Sequence, residues 1–430
     1  MDRREYLSMA VVTSCLSVVG CTGTGETEAE STTETENPDL DRPTLDPDET
    51  RDETDEDEDE DETEEPDDVH PLVGTYDDFE SLDHWIEYLG TMGPDRDRSS
   101  LGSQSVLMRP NDERTARLRW ELDEPIDVRG VTPGIAVTAD GPGWTMIQLQ
   151  DADNNYNEFG QFVPGGTPFV RKNFGLTRVR GDPDPSRVTV IQFVRWYVGD
   201  SSRFWVDDLH FVPRPDHSAV ALIFRGGHES HHQHALSLLE SNGLDATALV
   251  PTERIGAGGA MMTADQVGDL DRSGWTVGSY GATGRALVGL GDGQLDREID
   301  QSAAWLDERG FAGGPSVVGF PDGRYDAASY ERVTSAYDLG FAARSRSQGY
   351  AGNPHLWTVA ESPSNAEDAI ELVDWAADIG GITAIPFDAL PGDSLAALEA
   401  TIARVTERVT AGDLEVITPA DMVDQYVSPT

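Results

Sequence analysis

Lysine is almost absent from this chain. Lys172 is the only one among 430 residues, and arginine supplies every other basic side chain apart from histidine. Together lysine and arginine number 31 against 80 aspartates and glutamates, for a formal net charge of -49. Dense carboxylates hold water and cations, while salt screens their repulsion to within roughly 3 Å at 1 M. The composition therefore predicts a halophilic protein, soluble in multimolar salt, and excludes nucleic acid as a partner. The acid excess continues beyond a single tail, as "ADQVGDLDRSG" (264–274) shows. Cysteine is scarce too. Only Cys15 and Cys21 occur, which excludes a disulfide framework. Apolar residues are nearly missing from 22–69, a stretch containing "DETDEDEDEDETEEPDD". It cannot bury enough surface to offset its ordering entropy, so a disordered acidic linker is expected. Self-repulsion would stretch it, at ~3.3 Å per residue, to on the order of 100 Å.

What is present begins with "MDRREYLSMAVVTSCLSVVGC". Arg3-Arg4 and Tyr6-Leu7 precede an apolar run, Met9 to Gly20, that is too short to span a membrane. The segment resembles a twin-arginine export signal, and "VVGC" (18–21) resembles a lipobox. That resemblance implies a signal over 1–21, lipidation of Cys21, and an exported protein at the cell surface. The lipid would anchor it to the outer face of the cytoplasmic membrane, its only membrane contact. An ordinary signal peptide with a chance cysteine is the alternative.

Residues 70–213 read as a β-sandwich. "RLRWEL" places Leu118, Trp120 and Leu122 on one face, and "RVTVIQFVRWYV" and "RFWVDDLHFV" are similar strands separated by turns such as "GDPDPS". "DDFES" leading to Trp85, "GSQSVLM" and "FWVDDLHFV" resemble the galactose-binding-like jelly rolls attached to carbohydrate enzymes. "QDADNNYNEF" offers Asp151, Asp153 and Asn155 as a candidate calcium loop, although Tyr156 stands where such a loop needs glycine; a surface turn is the alternative. Trp144 and Tyr156 are candidates for stacking on sugar rings, or core residues.

After the linker "PRPDHS", short apolar runs alternate with amphipathic helices over 214–430. Seven strands are predicted: "AVALIF", "DATALV", "GWTVGSYG", "PSVVGFP", "GFAAR", "GITAIPF" and "LEVITP". Leu295, Ile299 and Leu306 mark one helix face; Leu395, Leu398, Ile402, Val405 and Val409 mark another. The expectation is a multidomain chain, a β-sandwich followed by a distorted seven-stranded β/α barrel whose chemistry lies at the carboxyl ends of its strands.

From Ser218 to about Tyr426 the chain resembles the polysaccharide deacetylase family, the NodB homology domain. The resemblance implies a divalent, zinc-type metal held by one aspartate and two histidines. A second aspartate would activate water and a later histidine would act as general acid. Each of those positions is altered here. "IFRGG" (223–227) puts Arg225 at the basic aspartate and Gly226 at the metal-binding one. "GWTVGSYGATG" puts Tyr280 and Gly284 where the two metal histidines belong, and "DIGGITAIPFDAL" has Phe387 at the general acid. "GFPDGRYD", with Asp322 and Arg324, keeps the outline of a third motif. Arg225, Tyr280, Asp322, Arg324 and Trp375 are the candidate ligand-binding residues, although "PDGRYD" is also a good turn and Trp375 equally suits a core. Glycine and phenol in place of carboxylate and imidazole leave too few donors for a catalytic metal.

Four histidines follow the first strand. His228 lies near the mouth; His231 and His234, three apart, would share an outward helix face; His232 lies between them. A surface metal site is one reading and a solvated helix start the other. The function expected is an exported, lipid-anchored member of the deacetylase family that binds a cell-surface or extracellular glycan without hydrolysing it and needs no cofactor. Two alternatives stand beside it. One is an active deacetylase using rearranged residues such as Asp322, Asp388 or the histidines, with a divalent metal; the other is a structural envelope lipoprotein.

Overall fold

The computed structural model describes residues 70–198, 203–311 and 313–428. The export signal, Cys21 and the acidic stretch 22–69 lie outside the described residues. Twelve strands build the first half. One sheet holds β1 (Gly74–Asp77), β3 (Thr91–Asp95), β4 (Ser105–Arg109), β6 (Val131–Ala139), β9 (Val170–Lys172) and β12 (Phe204–Pro213); its path runs β3-β4-β12-β6-β9, with β1 beside β12. The other holds β2 (Trp85–Leu89), β5 (Thr115–Ile126), β7 (Gly143–Gln150), β8 (Tyr156–Val163), β10 (Gly175–Arg180) and β11 (Val188–Tyr197), in the order β10-β8-β7-β11-β5-β2. All their pairings are antiparallel. Alternation sends Leu118, Ile147, Leu149, Ile191 and Phe193 of one sheet inward against Val106, Ile135, Val137, Phe204 and Phe211 of the other. This is the β-sandwich expected.

The second half is a ring of parallel strands: β13 (Ser218–Arg225), β14 (Thr247–Val250), β15 (Thr276–Ser279), β16 (Val317–Gly319), β17 (Leu339–Arg344), β18 (Trp357–Val359) and β19 (Ile382–Phe387), with β20 (Leu414–Val416) paired to β13. The order β18-β17-β16-β15-β14-β13-β19 nearly closes, because the Ala360 amide donates to the Ala384 carbonyl at 2.9 Å across the gap. The barrel therefore has its seven strands, but not the seven read from the sequence. Trp357–Val359 supplies one, while "LEVITP" adds a short strand beside β13. Inward residues Ala221, Ile223, Leu249, Val317, Phe341 and Trp357 fill the lumen. Outward Val220, Leu222, Phe224 and Ile385 pack beneath helices such as Ala366–Ile379 and Asp393–Ala411.

Sandwich and barrel meet along the segment after β9. The Asn173 side-chain amide donates to the Asn353 and Leu356 carbonyls, both at 3.0 Å, and its oxygen accepts from the Asn353 amide at 3.2 Å. A side chain at Gly175 would start 1.3 Å from the Ser347 carbonyl oxygen, so only glycine allows this approach. Lys172 is 1% exposed; its ammonium nitrogen lies 3.0 Å from the Tyr325 hydroxyl and 3.4 Å from the Pro168 carbonyl, with no carboxylate bonded to it. Burial pushes its pKa down to about 7.

Candidate functional site

The carboxyl ends of the strands converge on one mouth. On β13 alternation turns Ile223 and Arg225 to the lumen and Phe224 to the helices. The Arg225 guanidinium is not free for a ligand. Its Nε donates to Asp388 Oδ1 at 3.1 Å and its Nη2 to Asp388 Oδ2 at 2.8 Å, a two-pronged pair, with a further bond to Ser362 Oγ at 3.0 Å. The partner comes from β19 by the same alternation. Phe387 is 2% exposed and stacks on Phe224 beneath the helices, at 5.3 Å between ring centres, so Asp388, one residue on, returns to the mouth. The position where the resemblance implies a general acid is thus a core aromatic.

Gly226 and Gly227 follow Arg225 with φ of 92° and 63°. A Cβ at Gly226 would lie 2.8 Å from His228 Nε2, so the imidazole fills the space a side chain would need there. The backbone conformation disfavours an aspartate at the position where the resemblance implies a metal ligand, and the His228 ring would have to move to admit one.

Tyr280 closes the lumen. Its ring lies against Gly319, where a Cβ would come within 3.0 Å of Tyr280 Cδ2, and its hydroxyl accepts from the Asp322 amide at 3.4 Å. Burial raises its pKa, leaving a neutral phenol. The space between Arg225, Tyr280, Asp322, Phe341 and Arg344 admits water centres over only about 20 Å³, room for on the order of one water. Gly284, at φ 75°, sits over Pro251. Its loop is pinned by Glu298, which accepts from the Thr283 amide at 2.8 Å and hydroxyl at 2.6 Å.

A guanidinium already paired with a carboxylate, two glycines and a neutral phenol do not form a divalent-metal donor set. The residues do not fit the metal that the resemblance implies. Among the described residues, no group of three or more His, Cys, Asp or Glu side chains is placed to hold an ion.

The four histidines separate. His231 is fully buried, its Nε2 2.9 Å from the Asp388 carbonyl and its Nδ1 without a partner; burial pushes its pKa down to about 4. His234 is exposed. The expected shared face is absent because His231–Ala235 forms a π-helical turn, whose wider winding rotates residues three apart away from each other. His232 bonds Asp269 at 2.9 Å, and His228 contacts His231 edge-on at 5.5 Å.

Asp322 lines the mouth at φ 59°, and Arg324 is exposed outside its lining. Trp375 lies on the helix Ala366–Ile379 with the Arg346 guanidinium 5.1 Å from its ring, also outside the lining. Arg344, at the end of β17, does line it, and nothing in the local sequence "GFAARSRS" distinguishes it from Arg346.

In the sandwich, Asp151 receives the backbone amides of Asp153 and Asn155, both at 2.9 Å, and that of Asp184 at 3.2 Å, while the Asn155 side-chain amide donates to it at 3.1 Å. These donors take up its oxygens, and the segment is a turn with Asn154 at φ 65°.

No curated protein matches the chain. Among solved structures it is similar to a family 4 carbohydrate esterase from Streptomyces lividans in complex with acetate, at 19% identity over 50% of this chain and 98% of that one, with a TM-score of 0.35. A mutant of a CE4 family pseudoenzyme with restored enzymatic activity is 11% identical over 49% of this chain and 69% of that one, at 0.37. An exo-beta-agarase is 8% identical over 34% of this chain, which spans only 25% of its length, at 0.28. Residues 213–342 match the family model described as polysaccharide deacetylase, and with its nearly closed ring of parallel strands this part of the chain is a polysaccharide deacetylase domain.

Proposed function

We propose that this is an exported, lipid-anchored polysaccharide-deacetylase-family protein that holds a cell-surface or extracellular glycan without hydrolysing it. The observation that carries the reading is the Arg225–Asp388 pair beside Gly226, where His228 occupies the space of a ligand side chain. Acetyl hydrolysis of this kind needs a polarised carbonyl and an activated water. At this mouth the arginine is neutralised, the phenol is neutral, and the space takes about one water. A sugar ring does not fit inside that space, and on this reading the barrel serves as a scaffold.

Arg3-Arg4 and the "VVGC" segment support export and anchoring through Cys21. The acidic stretch 22–69 would hold the folded part away from the membrane. The test is metal content of untagged protein purified in high salt, read beside acetate release from acetylated chitooligosaccharides. Substoichiometric metal and no acetate are expected. One tightly held ion per chain together with metal-dependent acetate release would overturn the reading.

A further inference from the structure

The outer face of the β2-β5-β11-β7-β8-β10 sheet carries a surface that a scaffold does not require. Ile147, Leu149, Ile191 and Phe193 turn inward, which puts Trp144, Met146, Gln148 and Gln150 of β7 and Gln192, Val194 and Trp196 of β11 on the outer face, where the two tryptophans are exposed and the other five are buried. Register aligns these into rows across the sheet. One runs Arg119, Gln192, Gln148, Glu158, Arg178; another pairs Trp196 with Trp144 and Trp144 with Phe162.

The two tryptophans are open to solvent, at 52% and 39% exposure, and neighbour each other directly across the strands. Farther along the same strands the floor sinks into a cavity of about 200 Å³ lined by Tyr88, Arg117, Arg119, Gln148, Tyr156 and Arg180, among others. Trp144 and Trp196 lie outside the cavity lining, beyond buried Met146 and Val194, and from Trp144 to Gln150 the face runs six residues of β7, or ~20 Å at ~3.3 Å each. That is long enough for a chain of rings rather than one.

Its chemistry is donor-rich. Two acceptors of the floor are engaged within it: Gln148 Oε1 receives the Gln192 amide at 2.5 Å and the Gln150 amide at 3.3 Å, and Glu158 Oε2 receives the Gln148 amide at 2.7 Å. Arg119 donates to Glu121 at 3.0 Å. Arg117 and Arg180 have no ion pair among the described residues, and Arg117 Nε is buried without any partner. Leaving a buried charged donor unbonded is costly, which singles out Arg117 Nε, while Arg180 is exposed at the edge of the same trough.

A protein-binding groove would be apolar at its centre. Here the centre is amide and guanidinium, with aromatic rings at one end and tyrosines at the walls. That combination suits a polymer whose rings have an apolar face and whose edges carry hydroxyls and carboxylates.

We propose that this trough binds an acidic polysaccharide, Trp144 and Trp196 stacking on ring faces and Arg117 and Arg180 receiving carboxylates of the sugar. The inference rests on the reading of the chain as a glycan binder and places that binding on the sandwich.

The experiment is titration calorimetry on the full chain in multimolar salt, with a hexamer of galacturonate as the acidic probe and chitohexaose as the neutral one. The wild type should bind the acidic hexamer and prefer it over the neutral one. Trp196→Ala should weaken binding about tenfold or more. Arg117→Gln should abolish the preference, and Arg225→Ala should change neither. Circular dichroism of each variant checks that it is folded; Trp196 is exposed enough for its removal to be tolerated.

Equal binding of both hexamers by the wild type overturns the proposal. So does unchanged binding in both Trp196→Ala and Arg117→Gln, or loss confined to Arg225→Ala, although in that last case the chain would remain a glycan binder. No binding of either hexamer removes both this proposal and the glycan-binding reading, whereas acetate release removes only the claim of inactivity.

Discussion

The one lysine of the chain gives the sharpest test of how sandwich and barrel are joined. Lys172 is buried at their contact, its nitrogen near one phenol and one carbonyl, and its pKa falls to about 7 from an ordinary 10.5 through burial alone. Between those two values the unfolded chain carries a proton that the native protein does not. Raising the pH through that window therefore stabilises the fold. One such group contributes at most ~1.4 kcal/mol per pH unit, and the expected gain from about pH 7 to about pH 9 is roughly 2 kcal/mol. The full penalty applies below pH 7, where both states are charged. Lys172→Met keeps an unbranched side chain of similar length and removes the titration. Denaturant unfolding in multimolar salt at several pH values, for wild type and variant, isolates the effect as a difference between two curves. Lys172→Met should be the more stable at neutral pH by roughly 2–4 kcal/mol, with the gap shrinking toward pH 9. Two curves that run parallel across the window would refute the reasoning.

Other outcomes follow from the same structure. Gly226→Ala should lower stability by at least about 1–2 kcal/mol, because an L residue at that φ is strained and its Cβ meets His228; an unchanged melting temperature would contradict this. Placing aspartate at both 225 and 226 should fail to create zinc binding in calorimetry, since Tyr280 and Gly284 still supply no imidazole. Asp388→Ala should cost under about 1 kcal/mol despite its two bonds to Arg225, because the carboxylate is more than half exposed. Stability should fall as pH drops from about 6.5 toward 4. Buried His231 and His210, both pushed down to about 4 chiefly by burial, remain neutral in the fold while the unfolded chain takes up their protons. His231→Gln should flatten part of that acid slope in urea unfolding.

Strands were legible where alternation or an apolar run extended over several residues, as in "RLRWEL" and "AVALIF". Trp357–Val359 was not, because three residues carry no period, and its place in the ring depends on neighbours far along the chain. The motif positions told which donors were gone but not what replaced them. Arg225 and Asp388 are 163 residues apart, and nothing local to either predicts their pairing. His231 and His234 were assigned one face on α-helical geometry that the π-helical turn does not obey. The trough on the sandwich is not legible in the sequence for a similar reason. Trp144 stood out as an aromatic, but its alignment with Trp196 and with the glutamine rows is a property of register between strands, which composition does not reveal.

The contact at Gly175 and Asn173 bears on how the chain can be taken apart. A proline-marked joint at 213–218 invites cutting there, yet the Ser347 carbonyl sits against Gly175 and the Asn173 amide bridges two barrel carbonyls. A barrel severed from its companion would lose the hydrogen bonds that Asn173 now supplies and uncover the Tyr325 ring. The smallest piece that keeps its own shape is then the pair. A protease nick near Pro213 would leave the two fragments clasped, and they would elute from a sizing column as one particle.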